Sequence, residues 1–287
     1  MAAGRWVSIG PRIPVASASM PTIEANGLAT AYDVDGAGPP LVMLHGATGS
    51  GREHFATLRP VVTRGFRAYL PDARGHAGTR WDPAEGWTTA DLVDDVVAFV
   101  DALGLPTFHL LGYSMGGMTA LHVAVRFPER IRTLVAVSIG TEREPRLAAG
   151  RALMDPTRIE RDDPDWARRL AVRHDRIQGV GGWQRLLTAI VADIEAQPLL
   201  TSHQLRGIDA PTLVVTGDRD PFVPVAQAQA LARQVRDGRL LVLPAVGHDS
   251  LVERPALLHT ALDDFYRSTE SIARDRAGEA RATEVSG

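Results

Sequence analysis

Ser114 sits in Gly112-Tyr113-Ser114-Met115-Gly116, between an apolar run, Phe108 to Leu111, and a helix-like stretch, Met118 to Arg126. Glycines two residues before and two residues after a serine, at a strand-to-helix junction, mark a turn too tight for side chains at the flanking positions. Such a turn strains the serine backbone and holds its hydroxyl above the strand ends, with a helix N-terminus behind it. A serine hydroxyl is a weak nucleophile until a base takes its proton. Later loops offer both a base and carboxylates. Asp218 and Asp220 lie in Thr216-Gly217-Asp218-Arg219-Asp220 after one apolar run, and His248 closes Pro244-Ala245-Val246-Gly247-His248 after the next. Glu142, after the run Ile131 to Val137, is a third carboxylate. The chemistry on offer is nucleophilic attack by an activated serine.

These loops need a rigid frame. Ile23 to Tyr32 reads as a hairpin around Asn26-Gly27. Leu41 to Leu44, Arg67 to Leu70, Phe108 to Leu111, Ile131 to Val137, Thr212 to Val215 and Leu240 to Leu243 are short apolar runs of strand type. Helices are expected over Glu53 to Thr63, after a Thr88 or Thr89 cap, and over Pro255 to Tyr266. In the second of these, Leu92, Val93, Val96, Val97, Val100 and Leu103 recur at helical spacing before Gly104. This alternation predicts an α/β fold, with a mostly parallel central sheet covered by helices on both faces. It breaks once. Residues 140–207 carry no strand signal and are expected to form two to four helices, a cap inserted before the penultimate strand. The expected division is an N-terminal extension (1–21), a core in two parts (22–139 and 208–267), the cap (140–207) and a polar tail (268–287).

Composition removes several function classes. The 287 residues carry a net charge of -3, which gives no electrostatic footprint for nucleic acid. No run approaches the roughly 18 apolar residues of a membrane span, and the N-terminus lacks a continuous apolar signal region. Cysteine is absent, so there is no disulfide, thiol nucleophile or thiolate metal site. Lysine is absent too, which removes a phosphate-loop lysine and a Schiff-base lysine. A cytoplasmic location is the expectation. Gly46-Ala47-Thr48-Gly49-Ser50-Gly51 follows a strand, but its spacing is not that of a dinucleotide loop. Tyr69-Leu70-Pro71 stands where a ribose-binding acid would close the next strand. No His/Asp/Glu cluster has metal-ligand spacing, and the chemistry requires no cofactor.

Five ordered segments together resemble the α/β-hydrolase fold superfamily, in its capped, esterase-like and lactonase-like form. They are His45-Gly46, Pro71-Asp72-Ala73-Arg74-Gly75-His76, Gly112 to Gly116, Gly217 to Asp220, and Gly247-His248, and the resemblance spans about Ile23 to Tyr266. It implies Ser114 as nucleophile, His248 as base and Asp220 as the acid that orients it, with Asp218 a loop-capping residue. It implies an oxyanion hole made by the backbone N–H groups of Met115 and Ala47. Ester or lactone hydrolysis through an acyl-enzyme is the expected activity. Carbon–carbon bond hydrolysis, thioester cleavage or acyl transfer, and cofactor-free perhydrolysis are alternatives on the same groups, and a ligand-binding relative without turnover is a third class. Epoxide hydrolase and dehalogenase chemistry is disfavoured, because such relatives carry aspartate at the position of Ser114.

Candidate substrate contacts are His45, Tyr113 and Phe222 in the core, and Trp166, His174 and Trp183 in the cap. His45 and His76 also read as structural residues of their loops. His174, within Arg173-His174-Asp175-Arg176, reads first as a solvated helix face. Trp166, Trp183 and Met154 read equally as an acyl pocket or as the apolar underside of the cap. Asp249 is expected at the substrate edge or in solvent. The expected partner is a small-molecule substrate, with a homodimer left open and neither nucleic acid nor membrane expected.

Overall fold

Asn26 and Gly27 both adopt positive φ, 50° and 73°, which is the backbone that a two-residue hairpin turn demands. They join β1 (Thr22–Ala25) to β2 (Leu28–Asp35). The computed structural model describes residues 20–269; the expected extension and tail fall almost wholly outside the described residues. After β2 come β3 (Pro40–Leu44), α1 (Gly51–His54), α2 (Arg59–Val62), β4 (Arg67–Pro71), α3 (Thr89–Ala102) and β5 (Phe108–Tyr113). Then follow α4 (Met115–Arg126) and β6 (Ile131–Val137). A helical insert holds α5 (Arg146–Leu153), α6 (Pro156–Asp162), α7 (Pro164–Gln178) and α8 (Gly182–Ala196). The chain closes with α9 (Ser202–Arg206), β7 (Thr212–Gly217), α10 (Val225–Gln234), β8 (Gly238–Leu243), α11 (Ser250–Glu253) and α12, helical over 255–269.

Among the described residues the sheet has eight strands, in the order β1-β2-β4-β3-β5-β6-β7-β8. The two edge pairings β1–β2 and β2–β4 are antiparallel, and the rest are parallel. Side-chain alternation divides the core between the two faces. Leu110, Leu134, Ala136 and Val214 pack under Val93, Phe99, Leu121 and Leu231 of α3, α4 and α10. Leu111, Val135, Val137 and Val215 face Phe55, Leu58, Leu262 and Phe265 on the opposite side. Because every central strand buries both faces, its sequence reads as continuously apolar.

Two expectations are corrected. The single helix over Glu53 to Thr63 is two short ones, because Pro60 fits only the first turn of a helix and restarts it at Arg59. The region 140–207 is also not all insert. Leu205 of α9 packs with Ala228 and Leu231 of α10 in the main core, so four helices form the insert and α9 belongs beneath it. The insert has its own apolar cluster. Leu170, Trp183, Leu186 and Ile190 meet Trp81, Trp87 and Leu92 from the main domain.

Candidate active site

Ser114 caps the junction of β5 and α4 with φ 52° and ψ -114°, a strained conformation worth about 1–3 kcal/mol. Sterics explain its glycines. A Cβ on Gly112 would lie 2.2 Å from the Gly116 carbonyl oxygen, and one on Gly116 would lie 2.1 Å from that of Leu44. Gly116 N–H donates to the His45 carbonyl at 3.1 Å, tying the serine turn to the loop after β3.

Ser114 Oγ lies 2.9 Å from His248 Nε2. On the other side of the ring, Nδ1 lies 2.8 Å from Asp220 Oδ2 and 3.0 Å from Oδ1. Asp220 Oδ1 also accepts from the N–H groups of Phe222 and Val223, at 2.8 and 3.1 Å. Those donors fix the carboxylate, so Nδ1 carries its proton toward Asp220 and Nε2 presents a lone pair to the serine. His248 and Asp220 are both buried.

Asp218 is placed otherwise: its Oδ1 accepts from Val246 N–H at 3.2 Å, which holds the histidine loop. Glu142 accepts from Gln227 and takes no part in the Ser114–His248–Asp220 chain. The N–H groups of Ala47 and Met115 make no hydrogen bond among the described residues, and both residues line the same cavity as Ser114.

That cavity, of about 620 Å3, lies between the main domain and the insert. Tyr113, Phe222 and Trp166 line it, together with Met154, Met118, Ile139, Ile190 and Ile194. The Phe222 ring lies 4.3 Å from that of His248. Tyr113 donates to Asp249 Oδ1 at 3.0 Å. Burial, reinforced by that carboxylate, raises its pKa well above the ordinary value.

Three expected contacts do not reach the cavity. His45 is turned into the loop, where Nε2 accepts from Ala73 N–H at 2.9 Å and Nδ1 donates to the Gly46 carbonyl at 2.8 Å. His174 is not solvated: it is fully buried, and its Nδ1 accepts from Ala77 N–H at 3.1 Å. A helix face dense in charge thus hides one imidazole against a loop of the main domain, a tertiary contact that charge density does not encode. Trp183 fills the centre of the insert, where its bulk is worth most as packing.

Other residues of the cavity are not singled out by the sequence. His54 Nδ1 accepts from Gly46 N–H at 3.0 Å, so this second cavity histidine braces the loop that carries Ala47. Ser138, at φ 53°, donates to the His248 carbonyl at 3.1 Å. Burial holds His45 and His54 neutral, with pKa values of about 3. Asp72, also in the cavity wall, accepts from Gly51 and Gly78 N–H, and burial raises it to about 6. Arg146 lines the cavity in a short segment whose sequence gives no such signal.

Comparison with known proteins agrees with the fold. Residues 39–176 match the model of the alpha/beta hydrolase fold, and residues 189–277 match that of the TAP-like protein family. The chain is similar to 3-oxoadipate enol-lactonase 2 of Acinetobacter baylyi, with 31% identity over 67% of this chain and 75% of the relative. It is also similar to 2-hydroxy-6-oxo-6-phenylhexa-2,4-dienoate hydrolase of Comamonas testosteroni, with 27% identity over 82% of this chain and 90% of the relative. Among solved structures, the enol-lactonase from Burkholderia xenovorans LB400 superimposes with a TM-score of 0.69 at 24% identity, covering 86% of this chain and all of that one. The chain belongs to the alpha/beta hydrolase fold family.

Proposed function

We propose that this protein is a serine hydrolase that cleaves a carboxylic ester or lactone of a small to medium organic molecule through an acyl-enzyme. The observation that carries the reading is the unbroken chain from Ser114 Oγ through His248 to Asp220, at 2.9 and 2.8 Å, opening on a cavity with apolar walls. Ser114 attacks the carbonyl carbon while His248 Nε2 takes its proton. Asp220 keeps the imidazole in the required tautomer and stabilises the imidazolium. The free N–H groups of Met115 and Ala47 receive the oxyanion, each worth roughly 3 kcal/mol to the transition state. His248 then protonates the leaving alcohol and activates water to release the acid.

His54 and Ser138 act as positioning residues, the first through Gly46 and the second through the His248 carbonyl. The insert supplies Trp166, Met154 and Ile190 as substrate walls and limits water at the serine. The test is intact mass after treatment with a fluorophosphonate, with Ser114→Ala beside the native chain. One adduct, absent from Ser114→Ala, is expected, and labelling that survives the substitution would reject the assignment. Rates on matched esters, lactones, thioesters and a carbon–carbon substrate then separate the reaction classes.

A further inference from the structure

The loop after β3 carries Ala47 and is held by side chains from two parts of the chain. His54 Nδ1 accepts from Gly46 N–H at 3.0 Å, and His45 Nδ1 donates to the Gly46 carbonyl at 2.8 Å. His76 Nε2 lies 2.9 Å from the Ala47 carbonyl oxygen. These three rings belong to the main domain. A further hold comes from the insert: Arg173 of α7 donates from Nη1 to the Thr48 carbonyl at 2.6 Å. Between these anchored groups the Ala47 N–H makes no hydrogen bond among the described residues, and the hydrolase reading gives it the oxyanion.

Arg173 is aimed by a partner of its own. Its Nε pairs with Glu53 of α1, and because the guanidinium is planar, an anchored Nε fixes the direction of Nη1. Glu53 adjoins His54, so one short helix supplies both the brace on Gly46 and the anchor of the arginine that reaches Thr48. After burial, the charge of Arg173 is the next cause that keeps His54 neutral, which leaves Nδ1 able to accept from Gly46. Docking of the insert does not need this arginine. On the same helix, His174 Nδ1 accepts from Ala77 N–H at 3.1 Å, Gln178 Oε1 accepts from Trp81 N–H at 3.1 Å, and Gln178 Nε2 donates to the Thr79 carbonyl at 2.8 Å. Leu170, Trp183 and Leu186 add apolar contact with Trp81 and Trp87. The Arg173–Glu53 pair is itself partly exposed, where ion pairs add little to stability. What is particular to Arg173 is the carbonyl that it reaches, one residue beyond Ala47.

We propose that the insert takes part in catalysis through Arg173, a positioning residue that fixes the Thr48 carbonyl and so holds the Ala47 N–H in the direction of the oxyanion. A donor stabilises developing charge in proportion to how firmly it is placed beforehand, so the insert contributes to the rate as well as to the shape of the cavity. The proposal deepens the hydrolase reading and rests on it for the oxyanion.

The test is the time course of fluorophosphonate labelling, followed by intact mass, which separates the chemical step, kinact, from reversible binding, KI. Deleting an oxyanion donor costs about 10^2- to 10^3-fold, and a loosened donor costs less. Arg173→Met is therefore expected to lower kinact about 10-fold and to leave KI within about twofold of native. Arg173→Lys, whose ammonium can still donate to Thr48, should recover most of the loss. Glu53→Gln, which removes the ion pair and leaves the Thr48 contact, should lower kinact by less than about threefold. Hydrogen exchange of the backbone amides tests for a detached insert: exchange over 46–49 should quicken in Arg173→Met, while that over 77–81, where His174 and Gln178 dock, stays native. Faster exchange in both segments would make Arg173 a docking residue and overturn the proposal. An unchanged kinact in Arg173→Met, a loss carried by KI, or equal damage from Glu53→Gln would overturn it as well. A native chain that does not label would strike the hydrolase reading itself, whereas a native chain that labels beside an unaffected Arg173→Met would strike only the part given to Arg173.

Discussion

Acid should unfold this protein through its buried histidines. His45, His54 and His174 each use a ring nitrogen to accept a backbone N–H, from Ala73, Gly46 and Ala77, so protonation breaks the bond that holds each ring. Burial is the first cause that keeps them neutral, to about pH 3 for His45 and His54 and about 2 for His174. In the unfolded chain the same groups titrate near 6.5. Their folded values are depressed, so their contribution is complete above about pH 6.5 and is lost as the pH falls toward 3. His76 differs, because both of its ring nitrogens face carbonyl oxygens, of Arg74 and Ala47, which favour the proton that burial opposes. Asp72 acts the other way. Raised to about 6 by burial, it binds a proton in the folded state that the unfolded chain releases down to about 3.8. Between pH 6 and 4 these four groups together bind about two more protons in the unfolded state, a slope of about 2.7 kcal/mol per pH unit from them alone. The loss is about 4 kcal/mol from pH 6.5 to 5 and about 7 by pH 4, against a typical total of about 5–15. Urea unfolding at pH 7, 6 and 5, followed by fluorescence of the buried Trp81, Trp87 and Trp183, measures the slope directly. His174→Leu should reduce it by about one proton. A slope below one proton across this window would refute the assignment of these rings as buried neutral acceptors.

Two further outcomes follow from the site. Asp220→Asn should lower kcat by about 10^4 with the fold intact, whereas Asp218→Asn should cost only about 1 kcal/mol of stability and leave kcat near native; steady-state kinetics and thermal melting distinguish them. His54→Leu leaves the Gly46 N–H without its partner, at about 1–3 kcal/mol, and should lower kcat about 10- to 100-fold with little change in KM. His54→Asn, whose side-chain oxygen can replace Nδ1, should restore much of the loss, and equal damage from the two variants would remove His54 from the positioning role.

The frame and the loops that carry Ser114, Asp220 and His248 were legible along the chain because much of what sets them is local. Gly112 and Gly116 are required by backbone atoms 2.2 and 2.1 Å away from a would-be Cβ, a requirement of the turn itself. The continuous apolar runs of β3, β5, β6 and β7 follow from burial on both faces. Ser114, Asp220 and His248 lie in loops at the carboxyl ends of the parallel strands β5, β7 and β8, and Asp220 was preferred to Asp218 on the resemblance, which puts the acid at the fourth residue from Gly217. Pro60 held a local signal that the expectation of one helix passed over, since a proline eight residues into such a span fits only the first turn of a new helix.

What the sequence by itself determined about this protein is therefore its α/β architecture and the residues that face one another across the strand ends. Only the tertiary structure decided what surrounds them. His174 and Trp183 were turned inward by contacts between the insert and the main domain, at separations of about a hundred residues for His174 and Ala77. His54 became a brace because a folded loop brought Gly46 to its ring. A residue's type states which bonds it can make, but whether those bonds are already made is a property of the packed chain, because partners distant in sequence compete for the same donors and acceptors.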